Sequence, residues 1–206
     1  MTSMQSSSPS RSEQKRSAIL EAAIALFCAQ GFPNTSMDEV AKKAGVSKQT
    51  VYAHFGNKDD LFVASIECKC DVHEIAPEML ADVAHPEQVL LQFASRFGDM
   101  IVSEEALTVY RACVSQSETH PEVSRLYFAG GPSRILTMLS DYFSRVEATG
   151  AFRFGDVRHA AIRLCLMLYG ERRLMLELGL PLQETEGERA RYLADTVKMF
   201  LAAAKS

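Results

Sequence analysis

Between Ser36 and Phe55 the chain reads SMDEVAKKAGVSKQTVYAHF, and this stretch restricts the fold more than any other. Met37, Val40, Ala41 and Ala44 recur at helical spacing, so a short helix here carries one narrow apolar stripe. Ser36 followed by Glu39 forms a capping box, in which each side chain satisfies a free amide of the first turn. Gly45 stands where a helix end needs a left-handed residue. Ser47 then caps a second short helix, with Val46 and Val51 spaced as a hydrophobic staple. Val51 and Phe55 point inward together, which leaves Lys48, Gln49, Thr50, Tyr52, Ala53 and His54 largely to the other sides. Two short helices joined by a glycine turn make the helix-turn-helix pattern, whose second helix enters the major groove of DNA. An ordinary helical hairpin would show the same caps and stripe, so the flanking residues decide between the two.

After Gly56, Asn57 can cap a further helix, with Asp59 and Asp60 in the first turn where the helix dipole favours acids. The string VSKQTVYAHFGNKDDLF resembles the DNA-binding signature of the TetR family of bacterial transcriptional regulators. The resemblance runs from near Arg16 to Phe62. It includes the Ala-rich first helix, Gly31-Phe32, Thr35-Ser36, Val40-Ala41, Ala44 to Ser47, Val51-Tyr52, His54-Phe55, Lys58 and Leu61-Phe62. A looser likeness to an AefR-type effector domain spans Arg111 to Gly170, through its His-Pro-Glu step, its Gly-Gly-Pro break and its Gly150-x-Phe152 turn.

Composition sets limits. The apolar fraction of 47% with no run of eighteen apolar residues excludes a membrane-spanning helix. Residues 1–12 are polar and Ser-rich without an apolar stretch, and are expected to form a disordered arm in a cytoplasmic protein. A phosphate contact from Arg11, Lys15 or Arg16 is an alternative to a mere arm. Residues 1–60 carry seven Lys/Arg against six Asp/Glu, a net of +1; the remainder carries a net of −5, which together make the −4 of the whole. A DNA reader so weakly basic should bind non-specific sequence weakly, because the phosphate contribution grows with the number of contacts. Five cysteines in a chain without an export signal argue against a disulfide framework. Cys68, Cys70 and His73 spread around a helix and cannot meet at one metal ion, so no metal and no cofactor are expected.

The periodicity predicts an all-α chain. An N-terminal three-helix helix-turn-helix domain over 13–60 precedes a larger helical effector-binding and dimerisation domain over 61–206. Its first helix spans about Glu13 to Gln30 and is ended by Gly31. The fourth runs from Lys58 to about Asp82 and joins the two parts, and others cover Pro86 to Ser103, Glu104 to about Thr119, and Ile135 to Ala148. Gly130-Gly131-Pro132 is read as a break. Two final amphipathic helices occupy 156–178 and 186–204; in the family the last two helices pair with a second subunit, and here they carry Ala161, Leu164, Leu168, Leu174, Leu178, Leu193, Val197, Phe200 and Leu201.

Position within the motif assigns roles. Lys48, Gln49, Thr50 and Ala53, on the second helix, are placed over the bases; Lys48 suits guanine or a phosphate, and Gln49 suits adenine. Tyr52 and His54 match the family's phosphate-binding Tyr and His, Lys58 adds its charge at a helix start, and Ser47 caps the reading helix. Relatives often place a hydroxyl or a base in the first turn of the second helix, but this chain has Met37 and Asp38. Asp38 is expected to be repelled by the DNA backbone, so contacts there are expected to fall to Thr35, Ser36 and the free amides of the helix N-terminus.

The effector domain should enclose a pocket drawn from Phe93, Phe97, Met100, Tyr110, Phe128, Met138, Phe143, Met167 and Tyr169, for a small apolar or aromatic ligand with Arg111 as the one nearby charge. No Gly-rich phosphate loop, nucleophile elbow or metal-spaced His pair suggests an enzyme. The resemblance therefore implies a dimeric, ligand-responsive repressor of a palindromic double-stranded operator, with no membrane partner. The alternative is a helical regulator that activates, or acts through protein partners without an effector.

Overall fold

The structure, a computed structural model, describes residues 10–205. Residues 1–9 of the expected arm lie outside the described residues, but Arg11 and Ser12 are the first two residues of helix α1, not part of an arm. Among the described residues ten α-helices follow in order: α1 Arg11–Asn34, α2 Met37–Ala44, α3 Lys48–Phe55, α4 Lys58–Val72, α5 Pro86–Val102, α6 Glu104–Ser115, α7 Pro121–Phe128, α8 Arg134–Glu147, α9 Val157–Glu177 and α10 Glu186–Ala204. No strand forms among the described residues; one isolated bridge pairs Phe152 with Lys205. The chain is all-α and divides into two compact units after Ser65.

In the first unit, α1 begins with a capping box of its own, Ser10 with Glu13. Gly31, at φ 78° and ψ 164°, breaks the helix where expected, and the chain turns through Phe32-Pro33. Ile19, Leu20, Ala23 and Phe27 bury one face of α1, and Val40, Val51 and Phe55 are buried on α2 and α3. The expected boundary at residue 60 falls short by five residues for a packing reason. Phe62, in the second turn of α4, sets its ring edge-on to Phe27 at 5.1 Å and to Phe32 at 5.0 Å.

The second unit buries a continuous core from α5, α8, α9 and α10. Phe143 lies at its centre, stacked on Phe154 at 4.5 Å and beside Phe200 at 5.4 Å. Three expectations need correction here. α4 ends at Val72, not near Asp82: Ile75 N–H donates to the Cys70 carbonyl at 2.9 Å and Glu74 takes the left-handed position, a Schellman end built without glycine. α6 stops at Ser115, short of Thr119. Gly130-Gly131-Pro132 does not break the chain. Ala129–Ser133 form a π-helical turn that carries α7 into α8. A wider turn accommodates the proline, which has no N–H to give, and a Cβ on Gly131 would stand 3.2 Å from Ile66 Cγ2. Within α9, Gly170 interrupts the helix at φ 59° and ψ −175°, a kink that periodicity did not announce.

The expected dimer residues also sort differently. Ala161, Leu164, Leu168, Leu193, Val197, Phe200 and Leu201 are buried in the unit's own core. The apolar side chains left bare on α9 and α10 are Leu166, Leu174, Tyr192 and Met199, with Leu178 just past the end of α9. Among the expected pocket residues, Phe93 and Phe97 stack on each other at 5.2 Å and, like Phe143, are core. Met100, Met138 and Met167 are half-buried against that core, and Phe128 is 52% exposed. Tyr110 and Tyr169 flank a buried arginine, Arg173. Arg111 instead donates to the Leu176 carbonyl and is exposed.

Candidate nucleic-acid interface

The local chemistry of α2 and α3 follows from their caps. Ser36 Oγ accepts from Glu39 N–H at 3.2 Å, and Glu39 Oε2 accepts from Ser36 N–H at 2.8 Å. Bonds from the Ser36 hydroxyl and amide hold the Glu39 carboxyl below the ordinary glutamate range. Gly45, at φ 68°, closes α2, and Val46 N–H reaches back to the Ala41 carbonyl at 3.1 Å. Ser47 Oγ accepts from Thr50 N–H at 3.2 Å, while the two hydroxyls share a bond of 2.8 Å. Val51 and Phe55 are buried, so α3 can roll neither way. Its outer face is left to Lys48, Gln49, Tyr52 and Ala53, all exposed, with Thr50 and His54 half-buried at its edge. Tyr52 is 42% exposed and is not a core ring.

Three expected contact residues have their polar groups already engaged within the protein. Thr35 is 2% exposed, and its hydroxyl donates to the Gly31 carbonyl at 2.8 Å. It fastens the α1–α2 junction. Ser36 is exposed, but its hydroxyl is engaged in the capping box. Lys58 is half-buried; its ammonium donates to the Phe32 carbonyl at 3.0 Å and lies 4.3 Å from the Phe32 ring centroid. An ammonium has three donors, so a phosphate contact there would share the group with that carbonyl.

Two features were missed. The first is a groove of about 390 Å³ between α1 and α3, lined by Arg11, Ser12 and Lys15 on one side and Gln49, Thr50, Ala53 and His54 on the other. Arg11 and Lys15 belong to the helix, facing the reading element, where two fixed cations can meet a sugar-phosphate strand. The Ser10–Glu13 box was the signal that would have started α1 early enough to place them. The second is an ion pair. Asp38 Oδ1 lies 2.7 Å from Lys48 Nζ, and this bond raises the lysine's affinity for its proton. Lys48 also sits 5.9 Å from the Tyr52 ring centroid. The acid expected only to repel the DNA backbone is therefore the partner of the first residue of α3.

An expected result follows. Asp38→Ala should tighten binding to a random-sequence duplex roughly fivefold at 0.1 M salt, because it frees one cation and deletes one anion beside the phosphates. Fluorescence anisotropy across a salt series reads this directly, and the salt slope should steepen by about one per half-site. Unchanged affinity would mean that Lys48 does not reach phosphate even when released.

The interface has the parts of a groove reader: a short capped helix with a polar outer face, held by buried apolar residues and flanked by cations. Comparisons with known proteins agree with that geometry. Residues 19–65 match the family model described as bacterial regulatory proteins of the tetR family. Residues 88–204, more than half of the chain, match the C-terminal domain of AefR-like transcriptional repressors. The regulator HbdR of Aromatoleum sp. (strain CIB) is 29% identical over 148 residues, which cover 70% of this chain and 63% of HbdR. RutR of Escherichia coli O157:H7 is 28% identical over 148 residues, 70% of this chain and 62% of RutR. The aligned region thus spans less than two thirds of either relative. Among solved structures, a TetR-family transcriptional regulator from Mesorhizobium loti MAFF303099 superposes with a TM-score of 0.75 at 29% identity, over 96% of this chain and all of that one. The flavonoid-responsive regulator FrrA superposes at 0.70 and 30% identity, over 93% of this chain and 97% of its own. The chain belongs to the TetR family of helix-turn-helix transcriptional regulators, which are not enzymes.

Proposed function

We propose that this protein is a ligand-responsive repressor that binds a palindromic operator as a homodimer in the cytoplasm and leaves it when a small aromatic molecule binds the second unit. The observation that carries the reading is the division of α3 into a buried side, Val51 and Phe55, and an exposed side that presents Lys48, Gln49 and Tyr52. Bare apolar side chains on α9 and α10 support pairing of two copies. The repressor description of the matching C-terminal model supports repression, and the flavonoid-responsive neighbour supports an aromatic effector.

Two recognition helices related by a dyad meet major grooves about 34–36 Å apart, or a multiple of that, so the operator should be a near-palindrome. Selection of binding sites from a random duplex pool, followed by footprinting upstream of the protein's own gene, tests this. Gln49→Ala should lose about 1–3 kcal/mol of discrimination at one base position in each half-site. Tyr52→Phe should weaken all sequences alike. Identical behaviour of the two variants across a panel of sites would refute the division between base and phosphate readers.

A further inference from the structure

Arg173, near the end of α9, is only 3% exposed. Its Nε donates to Glu177 Oε1 at 2.7 Å, and its Nη1 donates to the Ile101 carbonyl in the last turn of α5. The guanidinium carbon lies 4.8 Å from the ring centroid of Tyr110 in α6 and 5.8 Å from that of Tyr169 in α9. Tyr127 of α7 stands beside Tyr110 with ring centroids 6.3 Å apart. Tyrosines from three helices thus surround a buried ion pair, yet all three remain only half-buried.

The hydroxyls differ in a telling way. The hydroxyl of Tyr169 is held by Glu177 and Arg173. Tyr142 donates to the Asp82 carbonyl at 3.1 Å, and Tyr192 donates to the Met167 carbonyl. Tyr127 and its neighbour Tyr110 make no side-chain hydrogen bond among the described residues, and the Tyr127 oxygen is open to an incoming group. Burial pushes the Tyr127 hydroxyl up to about 12, so at neutral pH it stays a neutral group with a proton to donate. The ion pair adds little stability over apolar packing and leaves the cluster without net charge.

We propose that this cluster is the effector site, and that it takes a neutral planar aromatic molecule bearing a hydroxyl or carbonyl oxygen; the inference rests on the reading of the protein as ligand-responsive. The ligand ring lies against Tyr110 and Tyr127, and its oxygen takes the Tyr127 proton. Carboxylates are disfavoured because Glu177 repels them and the Arg173 donors Nε and Nη1 are already engaged. Amines are disfavoured by the guanidinium itself. A ligand here presses on α6 and α7 where Arg111 and Arg173 tie α6 and α5 to α9.

Titration calorimetry of the full chain with biphenyl, 4-hydroxybiphenyl and biphenyl-4-carboxylate tests the site. The phenol should bind about fivefold tighter than the hydrocarbon, the worth of one ordinary hydrogen bond, and the carboxylate most weakly. Tyr127→Phe should erase the advantage of the phenol while leaving the hydrocarbon's affinity and the melting temperature unchanged. Absence of binding by all three, tightest binding by the carboxylate, or a phenol advantage that survives Tyr127→Phe would each overturn the proposal. Operator release is measured separately. If the phenol binds through Tyr127 yet leaves DNA affinity unaltered, the switch fails and the site stands; if an aromatic compound releases DNA equally well from Tyr127→Phe, the site fails and the switch stands.

Discussion

The double variant Leu166→Glu with Met199→Glu is expected to be a folded monomer whose operator affinity is at least a hundredfold lower than that of the parent. Leu166 on α9 is 65% exposed and Met199 on α10 is 59% exposed, and neither belongs to the core of its own unit. Neither substitution should disturb folding, so a circular dichroism spectrum should be unchanged. In a pairing of identical faces, each substitution occurs twice and buries an unpaired carboxylate, which costs several kcal/mol apiece. The consequence for DNA is larger than the loss of one contact. A dimer presents its second reading helix at high effective concentration once the first has bound, an advantage of roughly 10²–10⁴ that a monomer forfeits. Sedimentation velocity and gel shift on the selected operator measure both effects. A variant that still sediments as a dimer would show that the copies pair through another face.

Gly170→Ala should lower stability by about 2–3 kcal/mol, a fall in melting temperature of roughly 4–12 °C for a chain of this size. At φ 59° and ψ −175° the residue occupies a region that is almost exclusive to glycine. A Cβ there would also stand 3.1 Å from Cε1 and 3.2 Å from Cζ and Oη of Tyr192. That ring cannot swing aside freely, because its hydroxyl donates to the Met167 carbonyl. Gly187→Ala is the matched control: it lies in α10 with nothing within 4 Å of an added Cβ, and should be neutral or gain up to about 1 kcal/mol. Equal melting temperatures for the two variants would mean that α9 can run straight through residue 170.

Burial also bears on the cysteines. It pushes Cys113 up to about 11 and Cys165 up to about 12, so both are thiols at neutral pH and poor nucleophiles.

The reading element was legible because its determinants are local. Ser36 with Glu39, Gly45, and Ser47 with Thr50 act within four residues of themselves, and each cap forms as the sequence implies. The same local chemistry, the Ser10–Glu13 box, starts α1 earlier than its apolar periodicity does. Helix ends were legible where glycine made them, at Gly31 and Gly45, and were missed at Glu74, where the backbone enters the left-handed region without one. There the Ile75–Cys70 bond and the burial of Ile75 impose the conformation, and neither is visible in a single residue type.

The sequence by itself determined that this chain is all-α, that α2 and α3 form a helix-turn-helix, and which side of α3 is left exposed, because caps, glycines and apolar spacing act over one or two turns. Only the tertiary structure decided which of the many apolar residues of α9 and α10 face inward, since both helices carry more of them than one face can hold. It alone placed Asp38 against Lys48, brought Arg11 and Lys15 beside Gln49, and gathered Tyr110, Tyr127 and Tyr169 around Arg173. Each of these joins residues on different helices, and helical period fixes the direction of a side chain about its own axis but not what stands opposite it.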